Sequence, residues 1–284
     1  MPSLRALVEA GHQVELVVTQ PDRPGHRLRV SPPPVKVTAE ELGLDVFQPE
    51  KIRASESVAR LAAAAPELMV VVAYGQIIPR SVLEIPPRGI LNVHASLLPR
   101  HRGAAPINHA ILAGDNLTGV TIMCLDEQLD HGPVLANCET EIGSDEDAVA
   151  LSQQLSVMGA ELLVDVLARF DDLEPKEQDH AAATLAPKLS RADGELEWDL
   201  TADEIDRRVR ALQPWPGVTL PLDGARVKVL RGRPLQGFGR PGQVLGARPE
   251  GVEVAARQGS YLLERVQPPG KRPMSPRTLV KSGA

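Results

Sequence analysis

Along the first 170 residues the apolar positions fall into short runs whose spacing switches between that of helices and that of strands. Pro2 to Gly11 predicts a short helix ended by Gly11, and His12 to Thr19 (HQVELVVT) alternates like a strand. That strand runs into Gln20-Pro21-Asp22-Arg23-Pro24, which is turn chemistry, and a proline-rich basic stretch then continues to Val35 without regular periodicity. Helices are predicted over Lys36–Leu42, Glu56–Ala65, Ala105–Ala113 and Glu146–Phe170, and strands over Asp45–Phe47, Gly89–Val93, Val120–Leu125 and Val134–Cys138. Leu68–Ala73 (LMVVVA) is a continuous apolar run, the pattern of a strand buried on both faces. Strands alternating with helices predict an α/β domain with a mostly parallel sheet covered on both sides.

The pattern changes after Phe170. DDLEPKEQDHAAATLAPK has no sustained periodicity and is read as a linker. Beyond Trp198 comes one helix, Ala202–Leu212, and then five short β-like runs (VTLPL, ARVKVL, GQVLG, GVEVAA and SYLLERV) separated by Gly and Pro. Short strands at regular spacing predict a small barrel. The expected layout is a catalytic domain over 1–170, a linker over 171–190 and a β-barrel domain over 191–284.

Composition narrows the class. Hydrophobic residues make up 43% of the 284, charged residues 24% and aromatics only 2%, so the cores must be filled by Leu, Val, Ala and Ile. Cys124 and Cys138 are the only cysteines, too few for a disulfide framework or a cysteine-rich zinc site, and a reducing cytoplasm is the expected compartment. No apolar run approaches the ~18 residues of a membrane span, and the N-terminus lacks the charged and apolar regions of a secretory signal. The net charge of −6 argues against an indiscriminate nucleic-acid binder, but it is unevenly spread. From Pro221 onward twelve Lys and Arg face four Asp and Glu, a net of +8, which leaves −14 on the first 220 residues. A basic end on an acidic body suits contact with a polyanion such as RNA, although the same charges would also suit a solvated β-surface.

The segment LNVHASLLPRHRGAAPINHAI carries the chemistry. Asn92 and His94, two apart at a strand end, point to one face, and in open α/β sheets ligands collect beyond the carboxyl ends of strands. An amide and a protonated imidazole there can both donate to an oxyanion forming on a carbonyl; the same pair could simply tie down a loop. In LDEQLDHG, Asp126 and Asp130 follow an apolar strand, where a carboxylate can orient an imidazole, accept an amine proton through water, or cap a turn. Asp126, Glu127 and His131 are read as loop residues of the last kind. Leu97-Leu98-Pro99 form an apolar ledge suited to a flat heterocycle, Arg100 and Arg102 are placed to meet carboxylates or phosphates, and Gly103 permits close backbone approach.

The stretch LNVHASLLPRHRGAAPINHAILAGDNLTGVTIMCLDEQLDHG resembles the signature of the methionyl-tRNA formyltransferases, and the likeness continues through VVTQPDRP, VVVAYGQIIP, LQPWPG and QPPGKRPMSP. The resemblance implies a Rossmann-like formyltransferase fold followed by a small OB-like β-barrel that grips tRNA. It implies 10-formyltetrahydrofolate as a co-substrate, with no metal or bound cofactor, and initiator methionyl-tRNA as the acceptor. Asn92 and His94 would stabilise the tetrahedral intermediate, Asp130 would hold His94 and help remove the amine proton, and Ser96, Leu97, Leu98 and Pro99 would line the folate site. Arg23–Val35 matches the family's mobile basic loop, with Arg27 and Arg29 the candidates for tRNA contact; the loop is shorter than the family's and its glycines differ. The family also begins with a strand and a Gly-containing turn before the helix that starts here at Pro2. Their absence points to an upstream start or a truncation, and predicts unpaired backbone beside Val14–Val18. A monomer is expected.

The nearest alternative is a formyltransferase acting on another amine, such as an amino sugar nucleotide; the basic loop and basic C-terminal region favour tRNA. A non-catalytic RNA-binding protein on the same scaffold is disfavoured by the intact Asn92, His94 and Asp130. A nicotinamide enzyme is disfavoured because no GxGxxG follows a strand, and a zinc hydrolase because His94, His101, His109 and His131 lack HExxH-type spacing. His101, His109 and His131 are accordingly read as structural or solvated.

Overall fold

The computed structural model describes residues 1–24 and 30–280. In chain order these form α1 (Pro2–Glu9), β1 (Val17–Val18), β2 (Arg23–Pro24), β3 (Val30–Ser31), α2 (Pro34–Glu41), β4 (Val46–Phe47), α3 (Ser55–Ala63), β5 (Met69–Val71), α4 (Arg80–Leu83), β6 (Ile90–His94) and β7 (Arg102–Gly103). There follow α5 (Pro106–Ala113), β8 (Leu117–Cys124), β9 (Val134–Glu141), α6 (Ala148–Ala168), β10 (Leu185–Ala186) and α7 (Ala202–Ala211). The last elements are β11 (Val218–Leu222), β12 (Ala225–Leu235), β13 (Val244–Ala247), β14 (Val252–Ala255) and β15 (Ser260–Gln267). The chain divides into two compact units. The first comprises 1–106, 117–140 and 153–187, and the second 107–116, 141–152 and the chain from 188 on.

The first unit is α/β. Two βαβ connections, β1–α2–β4 and β5–α4–β6, produce parallel strand pairs, with Val17 opposite Val46 and Val70 opposite Leu91. β8 joins antiparallel to β6, with Asn92 opposite Met123 and His94 opposite Thr121, and the four-stranded sheet runs β5-β6-β8-β9. Alternation along β6 divides two cores. Leu91 and Val93 pack with Ile122, Leu163 and Val166 under α6. Ile90, on the opposite face with Asn92 and His94, packs with Leu61 of α3 and Val82 of α4. The helix predicted at Pro2 ends as expected: Gly11 is left-handed at φ +84, its N–H donates to Val8 O at 3.0 Å, and the N–H of His12 donates to Leu7 O at 3.0 Å. Those two bonds satisfy carbonyls that the helix end leaves without partners.

Two predicted strands are shorter than their patterns. Of His12–Thr19 only Val17–Val18 is strand, and among the described residues its one strand partner is β4. The run Leu68–Ala73 has the pattern of a strand buried on both faces, but Met69–Val71 is half-buried and Val72 is 46% exposed. The reason is topological: β5 ends the four-stranded sheet and the β1–β4 pair stands as a separate sheet, so among the described residues no strand pairs with β5 on its outer edge.

The second unit holds one antiparallel sheet of order β11-β12-β15-β14-β13. Its inward positions, such as Val218, Leu220 and Leu222 of β11, alternate with half-exposed ones, and they pack against Ile205 and Val209 of α7. Each fully buried Leu or Ile of this kind contributes roughly 1.5–3 kcal/mol. α7 starts in a capping box: Thr201 Oγ1 accepts from Glu204 N at 3.2 Å, and Glu204 Oε2 accepts from Thr201 N at 2.8 Å.

Candidate active site

β6 delivers Asn92 and His94 at its carboxyl end, and the chain then turns sharply. Thr121, opposite His94 on β8, fixes that turn by donating from Oγ1 to Ser96 O at 2.7 Å and accepting from Leu98 N at 3.1 Å. Ser96 is fully buried, and its hydroxyl donates to Arg100 O at 2.6 Å. The ledge that follows has Leu98 nearly buried and Leu97 and Pro99 half-exposed. His101 then takes a left-handed backbone (φ +57), which turns its carbonyl oxygen toward His94.

Asp130 enters from the loop after β8, also left-handed at φ +45. Its Oδ1 accepts from Asn92 Nδ2 at 3.3 Å and its Oδ2 accepts from Gly103 N at 2.8 Å. The same Oδ2 lies 3.7 Å from His94 Nδ1, with the His94 and Asp130 side chains only 6% and 12% exposed. The amide, the imidazole and the carboxylate predicted from sequence are therefore brought together. His94 Nε2 sits 3.0 Å from His101 O; a carbonyl only accepts, so Nε2 carries a hydrogen and Nδ1 is the ring nitrogen left facing Asp130.

Gly103 is fixed by sterics. At φ +124 it suits a residue without a side chain, and a Cβ there would lie 2.7 Å from Ala186 O of β10, its parallel neighbour. The segment read as a linker supplies that neighbour. Thr184 O accepts from Arg102 N at 2.8 Å, Thr184 Oγ1 accepts from His101 N at 2.9 Å, and Lys176 and Val134 exchange backbone bonds of 2.8 Å. Gln178 Nε2 donates to Asp130 O at 3.0 Å and to Gly132 O at 2.7 Å.

Arg102 does not face a ligand as expected. It is buried, and its guanidinium donates to Gln178 Oε1 from Nε (3.1 Å) and Nη2 (2.6 Å) and to His180 Nδ1 (2.9 Å). The internal acceptors compensate a charge that would otherwise be costly to bury. Arg100 is exposed. Asp126 and His131 behave as loop residues: Asp126 Oδ1 accepts from Gln128 N at 2.8 Å, Oδ2 pairs with His131 Nδ1 at 2.7 Å, and His131 stacks on His180 with centroids 3.9 Å apart. Arg27 and Arg29 lie outside the described residues. Burial pushes the Cys124 and Cys138 thiols up, away from the thiolate that nucleophilic sulfur chemistry needs.

Sequence reasoning missed Thr121, Gln178, His180 and Thr184. One signal was available: the 171–188 segment has neither Gly nor Ser, unlike a flexible linker. Among the described residues no three or more His, Cys, Asp or Glu converge to hold a metal ion, and no helix is long and apolar enough to cross a membrane.

An amide, an imidazole and a carboxylate meet at the end of the parallel pair's inner strand, and the comparisons define the class. Residues 3–167 match the formyl transferase family and residues 188–283 its C-terminal domain; the chain belongs to the formyl transferase family. It is 50% identical over 275 residues to a methionyl-tRNA formyltransferase of Thermus thermophilus, covering 96% of this chain and 90% of that one. It is 46% identical over 274 residues to the methionyl-tRNA formyltransferase of Citrifermentans bemidjiense, covering 95% and 86%. Among solved structures, an N-formyltransferase from Helicobacter canadensis in complex with folinic acid and dTDP-3-aminofucose superposes with a TM-score of 0.68 at 17% identity, covering 94% of each chain. HypX from Aquifex aeolicus in complex with tetrahydrofolic acid gives 0.64 at 21% identity, covering 86% of this chain and 43% of that one. These two similarities speak for the fold alone.

Proposed function

We propose that this enzyme transfers the formyl group of 10-formyltetrahydrofolate to the free α-amino group of initiator methionyl-tRNA, giving N-formylmethionyl-tRNA and tetrahydrofolate. The observation that carries this reading is the convergence of Asn92 Nδ2, His94 Nδ1 and the Asp130 carboxylate at the end of β6. The 44–50% identity to methionyl-tRNA formyltransferases over most of the chain supports the choice of acceptor.

The reaction needs a tetrahedral centre. The methionyl nitrogen attacks the formyl carbon, a C–N bond forms, and the carbonyl oxygen gains negative charge. Asn92 and His94 donate to that oxygen, His94 as the doubly protonated imidazolium through Nδ1, since Nε2 is committed to His101 O. Asp130, which already holds Asn92 and the backbone of Gly103, orients the pair and accepts the amine proton, directly or through water. Collapse breaks the bond to the folate nitrogen, which leaves with a proton.

The half-exposed faces of Leu97 and Pro99, with Leu98 beneath, form the ledge for the folate ring, and fully buried Ser96, its hydroxyl and carbonyl both used in the turn, shapes that ledge from behind. Arg27 and Arg29 reach the tRNA acceptor end. The antiparallel sheet and basic surface from about 191 onward serve as the OB-like barrel that grips tRNA, with 1–170 as the catalytic domain and 171–190 as the connection. The enzyme acts as a monomer in the cytoplasm and needs no metal. Replacing His94 by Ala tests the reading: turnover should fall by about two orders of magnitude or more while tRNA binding survives. Unchanged turnover would remove the oxyanion role.

A further inference from the structure

Gln178 belongs to neither family-matched segment, since it falls between residues 167 and 188. It is nonetheless the most fully committed side-chain amide near the candidate site. It is 8% exposed, its two N–H groups meet the carbonyls of Asp130 and Gly132, and its oxygen accepts twice from Arg102. Arg102 offers only donors and the two carbonyls only acceptors, so one amide orientation satisfies every contact. All the hydrogen-bonding capacity of the amide is used.

Those bonds close a ring through the acid. Asp130 O receives Gln178, Gln178 receives Arg102, and the residue after Arg102 donates its N–H to Asp130 Oδ2. Asp130 is thereby held at both its main chain and its carboxylate, in a left-handed conformation that Asp tolerates better than most residues. Arg102 also donates to His180, on which His131 stacks.

We propose that Gln178 is a positioning residue for formyl transfer: it clamps the Asp130 turn so that the carboxylate meets Asn92 and His94 in the reactive arrangement. The inference rests on the assignment of Asp130 above. Gln178 touches no reacting atom, so its loss should lower kcat and leave KM for both substrates nearly unchanged. Partners that orient a functional group from behind typically change activity by about 10–100-fold.

The experiment is a double-mutant cycle in the full chain, with steady-state formyl transfer to charged initiator tRNA as the readout and circular dichroism as the check on folding. Q178A should reduce kcat by about 10–100-fold with KM moved less than about threefold, and Q178N, which keeps the amide one methylene short, should recover part of the loss. In a D130N background the Q178A loss should largely vanish, because the group it positions is gone. A folded Q178A within about threefold of wild-type kcat, or a loss that multiplies in full onto that of D130N, overturns the proposal. Failure of both Gln178 variants to fold would assign the residue to folding and overturn it as well. Full activity in D130N itself would instead sink the assignment on which the inference rests.

Discussion

Replacing Asp130 by Asn changes one atom and tests most of the site. The carboxylate offers acceptors in two directions, to Asn92 Nδ2 at 3.3 Å and to Gly103 N at 2.8 Å, and its side chain is only 12% exposed. An amide has one acceptor oxygen. If that oxygen stays on Gly103, an NH2 group faces the NH2 of Asn92; if it turns to Asn92, the NH2 faces the Gly103 N–H. In either orientation one donor loses its partner in a nearly dry setting, at a cost of about 1–3 kcal/mol. The catalytic effect should be larger, because the variant removes the group that takes the amine proton. General-base loss is worth about 10²–10⁴-fold in rate, or roughly 3–5 kcal/mol of barrier. Neither substrate's recognition surface is touched, so KM should move little. The assay is steady-state formylation of charged initiator tRNA alongside a thermal melt. A kcat within about threefold of wild type, in a protein whose melting point has fallen, would show that Asp130 only braces the loop.

Three further outcomes are expected. G103A should push a Cβ to 2.7 Å from Ala186 O at a strained φ, costing about 1–3 kcal/mol and lowering kcat through the lost Asp130 contact; an unchanged melting point with unchanged kcat would refute the steric account. Replacing the exposed Lys271, Arg272 and Arg277 together by Gln should reduce the slope of log affinity for tRNA against log salt by about 2 to 3, and an unaltered slope would take this edge of the basic region out of the interface. Glu253 is buried, and the hydrogen bond from Ser260 at 2.6 Å, joined by that from Arg248 at 2.7 Å, holds its carboxyl below the usual range. A depressed folded value stabilises the protein above the unfolded value of about 4.3 and is lost as the pH falls through the folded one, so the stability gap between wild type and E253Q should narrow below about pH 4. A gap that stays constant from about pH 6 to about pH 3 would contradict that.

Periodicity located the longer helices and strands, because alternation and 3.6-residue spacing follow directly from which face is buried. It missed the one-turn α4 and the two-residue strands β2, β3, β7 and β10, which are too short to show a period; β2, β3 and β10 also lie in stretches read as turn, irregular or linker. It could not give the extent of pairing. The apolar run at Leu68–Ala73 looks like a central strand, yet β5 ends its sheet, and that depends on neighbours that no local pattern encodes. Asn92 and His94 were legible because two residues apart on a strand is a geometric statement. Their meeting with Asp130, 38 residues from Asn92, came from the family resemblance and not from the local pattern. Arg102 was misread because a charge in a loop suggests solvent or ligand, and its acceptors, Gln178 and His180, lie 76 and 78 residues on. For Gln178 the only trace was the lack of Gly and Ser in its segment, since a single amide in an aperiodic stretch has no pattern to reveal the two carbonyls waiting for it.

The most direct test of the central claim is formyl transfer from 10-formyltetrahydrofolate by the purified chain, with charged initiator methionyl-tRNA and an amino sugar nucleotide offered as separate acceptors. Rapid formylation of the methionyl-tRNA, with the sugar untouched, is the expected result. A folded protein that formylates the sugar and leaves the methionyl-tRNA free would contradict the assignment of the acceptor.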